Sequence, residues 1–487
     1  MKLSATSLLF LSLLFLMSCS DDDEDVVNEP VPIVTINNEI NDFVWKGMNA
    51  VYLYKDEIPN LDDDRFSTNQ DYATYLNGFS SPESLFASLI FEPTITDRFS
   101  ALIPDYVAFE QSQQGITLNN GLEFNLYYEP GSNTEVFGVI RLVLNNSVAD
   151  NLGLERGQIF DAVDDVQLTE SNLNQLLGQD SYTLNFASYD DNGTENPNDD
   201  IIISSSEEIS LTKEVYTENP IHIADVIPFQ GENIGYLVYN GFNSSFNEEL
   251  NNVFADFAAN NINHLVLDLR YNPGGSVDTA RLLGSMITGQ FNGEIYSKLV
   301  YNSSLQEFNT NFEFVDSFNG NTINSLNLNK LYVLTTSRSA SASELVINSL
   351  DEYIDVVQIG DKTTGKTQAS ITIYDSPDLS DENRDPDHTY AMQPLVANSI
   401  NVNDQAVPST GITPDIELFE SAPNFNTLGN PDEPLLAAAL ADIQAINSRS
   451  SIINQSKSKE IEKDFNLKPF EGGLILESTI LKSLLDL

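Results

Sequence analysis

Cysteine is almost absent from this 487-residue chain. Cys19 stands alone, so no disulfide can close within it. Histidine is nearly as scarce: His222, His264 and His388 are scattered and none stands at zinc-ligand spacing, so no metal or cofactor is implied. Any Ser–His–Asp triad would have only these residues as its base. Positive charge is short as well, 22 Lys and Arg against 73 Asp and Glu, a net charge of −51. Such a surface repels phosphate backbones and excludes nucleic acid as a partner. The apolar run Leu8–Met17, after the basic Lys2, is ten residues long. That is too short to cross about 30 Å of hydrocarbon as a helix, and it reads as a signal peptide over 1–18. The whole chain is 41% hydrophobic, enough to bury real cores, and long enough for about two to four domains.

The apolar run ends Leu16-Met17-Ser18-Cys19, which resembles the lipobox of bacterial lipoproteins. The resemblance implies lipid on Cys19, which would anchor the chain in the cell envelope without a spanning helix. Ser20 to Asp25 is then a run of acidic residues. Like charges keep it extended as a tether over 19–35. It also looks like the surface-export signal of some Gram-negative lipoproteins. An outer-membrane location, facing the periplasm or outward, is the expectation.

Residues 36–110 carry helical spacing: Ile36, Ile40, Phe43, Val44 and Val51, then a helix start at Ser81-Pro82. From Gly115 the pattern becomes short strands. Gly121-Leu122-Glu123-Phe124, the strand Phe137–Val143, a short helix after Ser147 and the turn Gly153-Leu154-Glu155-Arg156-Gly157 together resemble a PDZ domain of the bacterial protease type, over 111–212. In that family a Gly-Leu-Gly-Phe-like loop donates backbone N–H groups to a peptide's terminal carboxylate. The resemblance gives that role to Gly121, Leu122, Glu123 and Phe124, with Glu123 as the departure. Asp190-Asp191-Asn192-Gly193 is a hairpin turn rather than a calcium loop.

Over 213–440 strands and helices alternate, as in an α/β core. The segment Leu265–Arg270 is nearly continuously apolar, as a strand buried on both faces is. Three features sit at its element ends. Ser339-Ala340-Ser341-Ala342-Ser343-Glu344 lies where a strand passes into a helix, and these serines also suit plain helix capping. Thr363-Thr364-Gly365-Lys366 is a turn before an expected strand Ile371–Tyr374. Asp268-Leu269-Arg270-Tyr271-Asn272-Pro273-Gly274-Gly275 ends the buried strand with two glycines that let backbone approach a ligand.

Together with Gly411-Ile412-Thr413-Pro414-Asp415, these segments resemble the tail-specific, or carboxy-terminal processing, serine peptidases. The resemblance runs over about residues 36–420. It implies a multidomain α+β protein: an N-terminal helical domain, a PDZ-like β-rich domain and an α/β catalytic core of the ββα-superhelix, crotonase-like kind. A C-terminal extension, 441–487, follows, whose last part, Leu467–Leu487, has no readable pattern. In the family the nucleophilic serine precedes the lysine by 25 positions, and 366 − 341 = 25, which selects Ser341 over Ser339 and Ser343.

The implied chemistry is acyl transfer, with neutral Lys366 taking the Ser341 proton. The N–H of Ala342 and that of Gly274 or Gly275 would hold the oxyanion. The family's glutamine four residues after the lysine is replaced here by Ser370, while Gln368 lies two after. Either is expected to orient the amine, since both would share the face of Lys366 on a strand. The implied partners are protein or peptide substrates with accessible C-termini. The alternative is a catalytically inactive lipoprotein that binds peptides through the PDZ-like domain. No Gly-x-Ser-x-Gly elbow supports a histidine-based hydrolase.

Overall fold

The computed structural model describes residues 35–194, 196, 199–444, 460–461 and 474–476. Cys19 and its flanking signal and tether lie outside them. No helix among the described residues is long and apolar enough to cross a membrane.

The central sheet follows from alternation within its strands. Strand order is Ile221–Phe229, Glu232–Tyr239, His264–Asp268, Lys330–Thr335, Asp355–Gly360, Ile416–Glu417, parallel from the second strand onward. Successive side chains of a strand point to opposite faces. Leu265, Leu267, Leu331 and Val333 accordingly join one core, with the helices Asn247–Ala259, Val277–Thr288 and Ala342–Leu350. Val266, Tyr332 and Leu334 join another, under the helix Pro434–Ile443. Both faces are covered, which explains the unbroken apolar sequence of these strands.

A second sheet runs Gly275–Ser276, Leu474–Ile475, Gln368–Ser370, Leu395–Ile400, Ile295–Tyr301, Thr310–Glu313. The expected strand Ile371–Tyr374 is therefore two short strands, Gln368–Ser370 and Ile373–Tyr374, in different sheets.

The N-terminal segment holds the helices Glu39–Val51, Asn69–Leu76, Pro82–Ser88 and Tyr106–Gln113. It does not keep a core of its own. Phe43, Val44, Met48 and Val51 share one apolar cluster with the central sheet. A Cβ built on Gly47 would come within 2.4 Å of Met392 Cε and 2.6 Å of Ile373 Cδ1. A strand, Ala101–Ile103, breaks the helical pattern and pairs with Ala391–Gln393.

The β-rich domain orders its strands Leu122–Tyr128, Val136–Val143, Ile159–Val163, Ser181–Asp190, Ile201–Thr212, with short helices Val148–Asn151 and Leu173–Leu177. Asn192 and Gly193 turn the last hairpin with positive φ, as the sequence implied. Arg156 ties this domain to the one that holds the central sheet. It pairs with Glu420 at 2.5 Å and donates to Tyr271 Oη at 2.6 Å. Glu420 also meets the fully buried Arg270, which pairs in turn with Asp268 and Glu433. The charges of the Asp268-Leu269-Arg270 motif thus knit the strand end to its neighbours. Removing one partner of such a buried network leaves an uncompensated charge, at a cost of about 3–5 kcal/mol.

Candidate active site

The three serines of the helix start have different surroundings. Ser339 Oγ donates to Leu269 O at 2.8 Å and Ser343 Oγ to Asn272 O at 2.9 Å. Both hydroxyls fasten the helix start to the turn that ends the buried strand. Ser341 Oγ is buried and has no hydrogen-bond partner among the described residues. Its backbone is strained, with φ 62° and ψ −110°, a non-glycine conformation costing about 1–3 kcal/mol that persists only when neighbours impose it.

Glu344 supplies much of that constraint. It is fully buried, and Oε2 accepts from Ser341 N at 2.8 Å and Lys366 N at 2.9 Å. Oε1 accepts from Gly365 N at 2.7 Å and Thr363 Oγ1 at 2.5 Å. One carboxylate therefore fixes both the Ser341 backbone and the turn carrying Lys366. Burial pushes the Glu344 carboxyl up, and these four hydrogen bonds pull it back. Ser341 and Glu344 stand at the spacing of a helix capping box, a signal available in the sequence, but the sequence reading gave Glu344 no role.

Ser341 and Lys366 line the same tight pocket, with Leu345, Asn348, Thr367, Ser399, Val407 and Leu474. Lys366 is 4% exposed. Burial pushes its amine down to about 7, against the opposing pull of Asp97 and Glu344. Asp97, Arg98 and Phe99 come from the N-terminal segment, and nothing local in the sequence announced them. Lys366 Nζ lies 4.9 Å from the Phe99 ring centre. Arg98 Nη2 donates to Gly365 O at 3.1 Å and Ser409 O at 3.2 Å. Asp97 is buried, accepting from Tyr52 Oη at 2.7 Å and Ser100 N at 2.8 Å.

The glycine turn packs directly on the serine. A Cβ on Gly274 would lie 2.7 Å from Ser341 Cβ and 3.1 Å from Ala342 N, and one on Gly275 would lie 2.3 Å from Phe242 O. Both have positive φ, 116° and 134°, so glycine is required twice over. Gly274 N donates to Asn272 Oδ1 at 2.9 Å, which commits that amide within the turn. Ala342 opens the helix, where an N–H has no partner inside the helix.

The residues expected to orient the amine are placed differently from the sequence expectation. Lys366 precedes the strand Gln368–Ser370 instead of lying on it, so a shared strand face does not follow. Gln368 Nε2 donates to Tyr54 Oη at 3.1 Å, and Ser370 Oγ is buried with no hydrogen-bond partner among the described residues.

In the β-rich domain, Gly121 N donates to Asn119 Oδ1 at 2.7 Å and Leu122 N to Asn120 Oδ1 at 3.2 Å. Two amides expected to meet a carboxylate are thus occupied by the chain's own Asx turns. Glu123 turns to Arg141 at 3.3 Å, and Phe124 is buried in the domain core.

Glu344→Gln is expected to destabilise the fold by about 2–3 kcal/mol, because an amide cannot accept all four donors. It is also expected to move Lys366 further below 7, since a charge that favours the ammonium form is gone. Denaturant unfolding reads the first effect and an NMR titration of the lysine side chain reads the second. An unmoved lysine would remove Glu344 from its electrostatics.

The model of peptidase family S41 matches residues 233–418, and that of the peptidase S41 N-terminal domain matches residues 39–101, together just over half of the chain. The crystal structure of a Bacteroides fragilis chain provisionally named an S41 protease superposes with a TM-score of 0.67 at 26% identity, covering 83% of this chain and 97% of that one. A Staphylococcus epidermidis chain provisionally named a CtpA-like serine protease is 28% identical over 30% of this chain and 28% of its own length. The chloroplastic carboxyl-terminal-processing peptidase 3 of Arabidopsis thaliana is 24% identical over 66% of this chain and 58% of its own. The matches to these two relatives span less than two thirds of the relatives' lengths.

Proposed function

Because this chain belongs to peptidase family S41, we propose that it is a serine endopeptidase working through Ser341 and Lys366, on protein or peptide substrates near their C-termini. One observation carries this reading: Ser341 Oγ, which has no hydrogen-bond partner among the described residues, shares a pocket with a buried lysine whose amine is held at about 7. A lysine near that value is a base at neutral pH, which an exposed lysine is not.

In the proposed reaction neutral Lys366 takes the Ser341 hydroxyl proton as Oγ bonds to the scissile carbonyl carbon. The carbonyl oxygen takes the negative charge. Ala342 N–H is placed to receive it, and of the two glycines Gly275 keeps an amide not committed within the turn. Collapse breaks the C–N bond, and the lysine ammonium returns the proton to the leaving amine. Water, losing a proton to neutral Lys366, then adds to the ester carbonyl; the C–Oγ bond breaks and the lysine ammonium returns the proton to Ser341 Oγ, releasing the acid. Phe99, Arg98 and Glu344 fix the lysine turn, and dehydration by these neighbours keeps its amine basic but uncharged.

The test is cleavage of an unfolded protein across pH. kcat/KM should rise with a midpoint near 7 and level off above it. Absence of any cleavage by the folded chain contradicts the peptidase reading and favours a peptide-binding role.

The lipobox-like Leu16–Cys19 supports anchoring in the cell envelope, and the acidic run after it supports the outer membrane. Cys19→Ser is expected to shift the protein from the membrane to the soluble fraction on fractionation. Unchanged membrane association would remove the lipid anchor from the account.

A further inference from the structure

Four consecutive residues, 97–100, come from a part of the chain far from Ser341 and Lys366 and meet at the base. Asp97 organises them. It is 2% exposed, and its Oδ1 accepts from Phe99 N at 3.1 Å and Ser100 N at 2.8 Å. One carboxylate oxygen thus folds the following residues into an Asx turn. Its Oδ2 accepts from Tyr52 Oη at 2.7 Å, and Tyr52 Oη accepts in turn from Phe91 N at 3.0 Å. Burial and the neighbouring Asp97 push the Tyr52 hydroxyl well above its ordinary value, so it remains a proton donor to Asp97.

Each further residue of the turn makes a contact at or beside the lysine. Arg98 Nη2 holds the carbonyls of Gly365 and Ser409 together. That crossing is close: a Cβ on Gly365 would lie 2.3 Å from Ser409 O. Phe99 places its ring 4.9 Å from Lys366 Nζ. Ser100 Oγ accepts from Leu395 N at 2.9 Å, on the strand that pairs with Gln368–Ser370 just after the lysine.

Few charges face the amine. Asp97 comes from the N-terminal segment and Glu344 from the helix, and the other residues of the pocket carry none. Arg98 spends its guanidinium on carbonyls. Tyr54, like Tyr52, is raised by burial and by Asp97 and stays uncharged. Cover and charge therefore act on Lys366 in opposite directions. Burial is the largest influence on the amine, and the two carboxylates oppose it.

We propose that Asp97 is a positioning residue for the reaction: it folds the turn 97–100 so that Phe99 covers the Lys366 amine, and its carboxylate supplies the counter-charge for the ammonium formed when the lysine takes the Ser341 proton. The N-terminal segment, rather than the core that carries Ser341 and Lys366, completes the base. This rests on the peptidase reading of the same site.

The test uses the full chain and the pH profile of cleavage. Asp97→Asn keeps an oxygen for the two turn amides and removes the charge. Its kcat/KM limb should move down by at least about half a pH unit, because the ammonium has lost a counter-charge. kcat should fall about tenfold while KM holds, because Asp97 acts through the lysine. Phe99→Ala uncovers the amine, and losing the cover outweighs losing the ring's attraction for a cation. Its limb should move up, with kcat/KM at pH 7 reduced at least about tenfold and regained toward pH 9. Phe99→Leu, which keeps an apolar cover, should restore most of the activity at pH 7. An NMR titration of the Lys366 side chain, with each variant in a Ser341→Ala background, should show the same two displacements without turnover.

A wild-type midpoint in Asp97→Asn overturns the proposal, including one that accompanies a loss of activity in step with stability, which is the mark of a purely structural role. A midpoint that does not rise in Phe99→Ala overturns it as well. If Asp97→Asn does not fold, Tyr52→Phe takes a donor from Asp97 and leaves its charge less neutralised, so the midpoint should rise. An unmoved midpoint in Tyr52→Phe then overturns the proposal. Failure of every variant and of wild type to cleave would sink the peptidase reading alone, because the NMR titration still reports on the base.

Discussion

Lys366→Met is expected to stabilise this protein by about 4 kcal/mol at pH 7 while removing its activity. Burial holds the folded-state amine at about 7, against an ordinary value of 10.5. Below 7 the unfolded chain keeps a solvated ammonium that the fold must either bury or deprotonate, so the full penalty of about 5 kcal/mol applies there. Between 7 and 10.5 the unfolded lysine still binds a proton that the folded one has lost, and stability rises with pH. Above 10.5 both forms are neutral and the penalty is gone. Methionine fills similar volume and carries no proton, so the variant should lack this slope. Denaturant unfolding from pH 6 to 10 measures it. A methionine variant no more stable than wild type at pH 7 would mean that Lys366 is not dehydrated in the folded protein. Lys366→Arg keeps a charge that cannot be shed, and it should lose both activity and stability.

Ser341→Ala is expected to lower kcat/KM by at least about a thousandfold, the scale seen when a nucleophile is removed and only binding and oxyanion contacts remain. The fold should persist, because Ser341 Oγ makes no hydrogen bond among the described residues. Ser339→Ala and Ser343→Ala should do the reverse. Their hydroxyls bind the turn after the buried strand, so each should cost about 1–3 kcal/mol of stability and change turnover less. Comparable turnover in Ser341→Ala and wild type would move the nucleophile elsewhere. Two of the three histidines are poor substitutes for the base: burial pushes His222 down to about 4 and His264 below its ordinary value. A pH limb that belongs to Lys366 should survive His222→Gln, His264→Gln and His388→Gln alike.

Much of this arrangement was legible because it is written locally. Strands buried on both faces show as continuous apolar runs, and His264–Asp268 lies within two residues of the run Leu265–Arg270 that suggested it. The Asn192-Gly193 turn was equally plain. The features that escaped are long-range. Phe99, which covers the Lys366 amine, stands 366 − 99 = 267 residues before it. Two-residue strands such as Leu474–Ile475 have no periodicity to read, because their pairing partners define them. The turn at Gly121 carries contacts that its motif did not announce. Its glycine and apolar residues fit a carboxylate-binding loop, but Asn119 and Asn120 just before it fill the amides with their own side chains. Asx turns of this kind compete with any ligand for the same donors.

The claim that Ser341 is the acyl-accepting atom is tested most directly by mass spectrometry of the enzyme quenched during turnover of an activated ester. The account predicts a single acyl adduct on the peptide that contains Ser341, present in wild type, reduced in Lys366→Met and absent in Ser341→Ala. An adduct on Ser339, Ser343 or any other residue, or one that persists in Ser341→Ala, would contradict it.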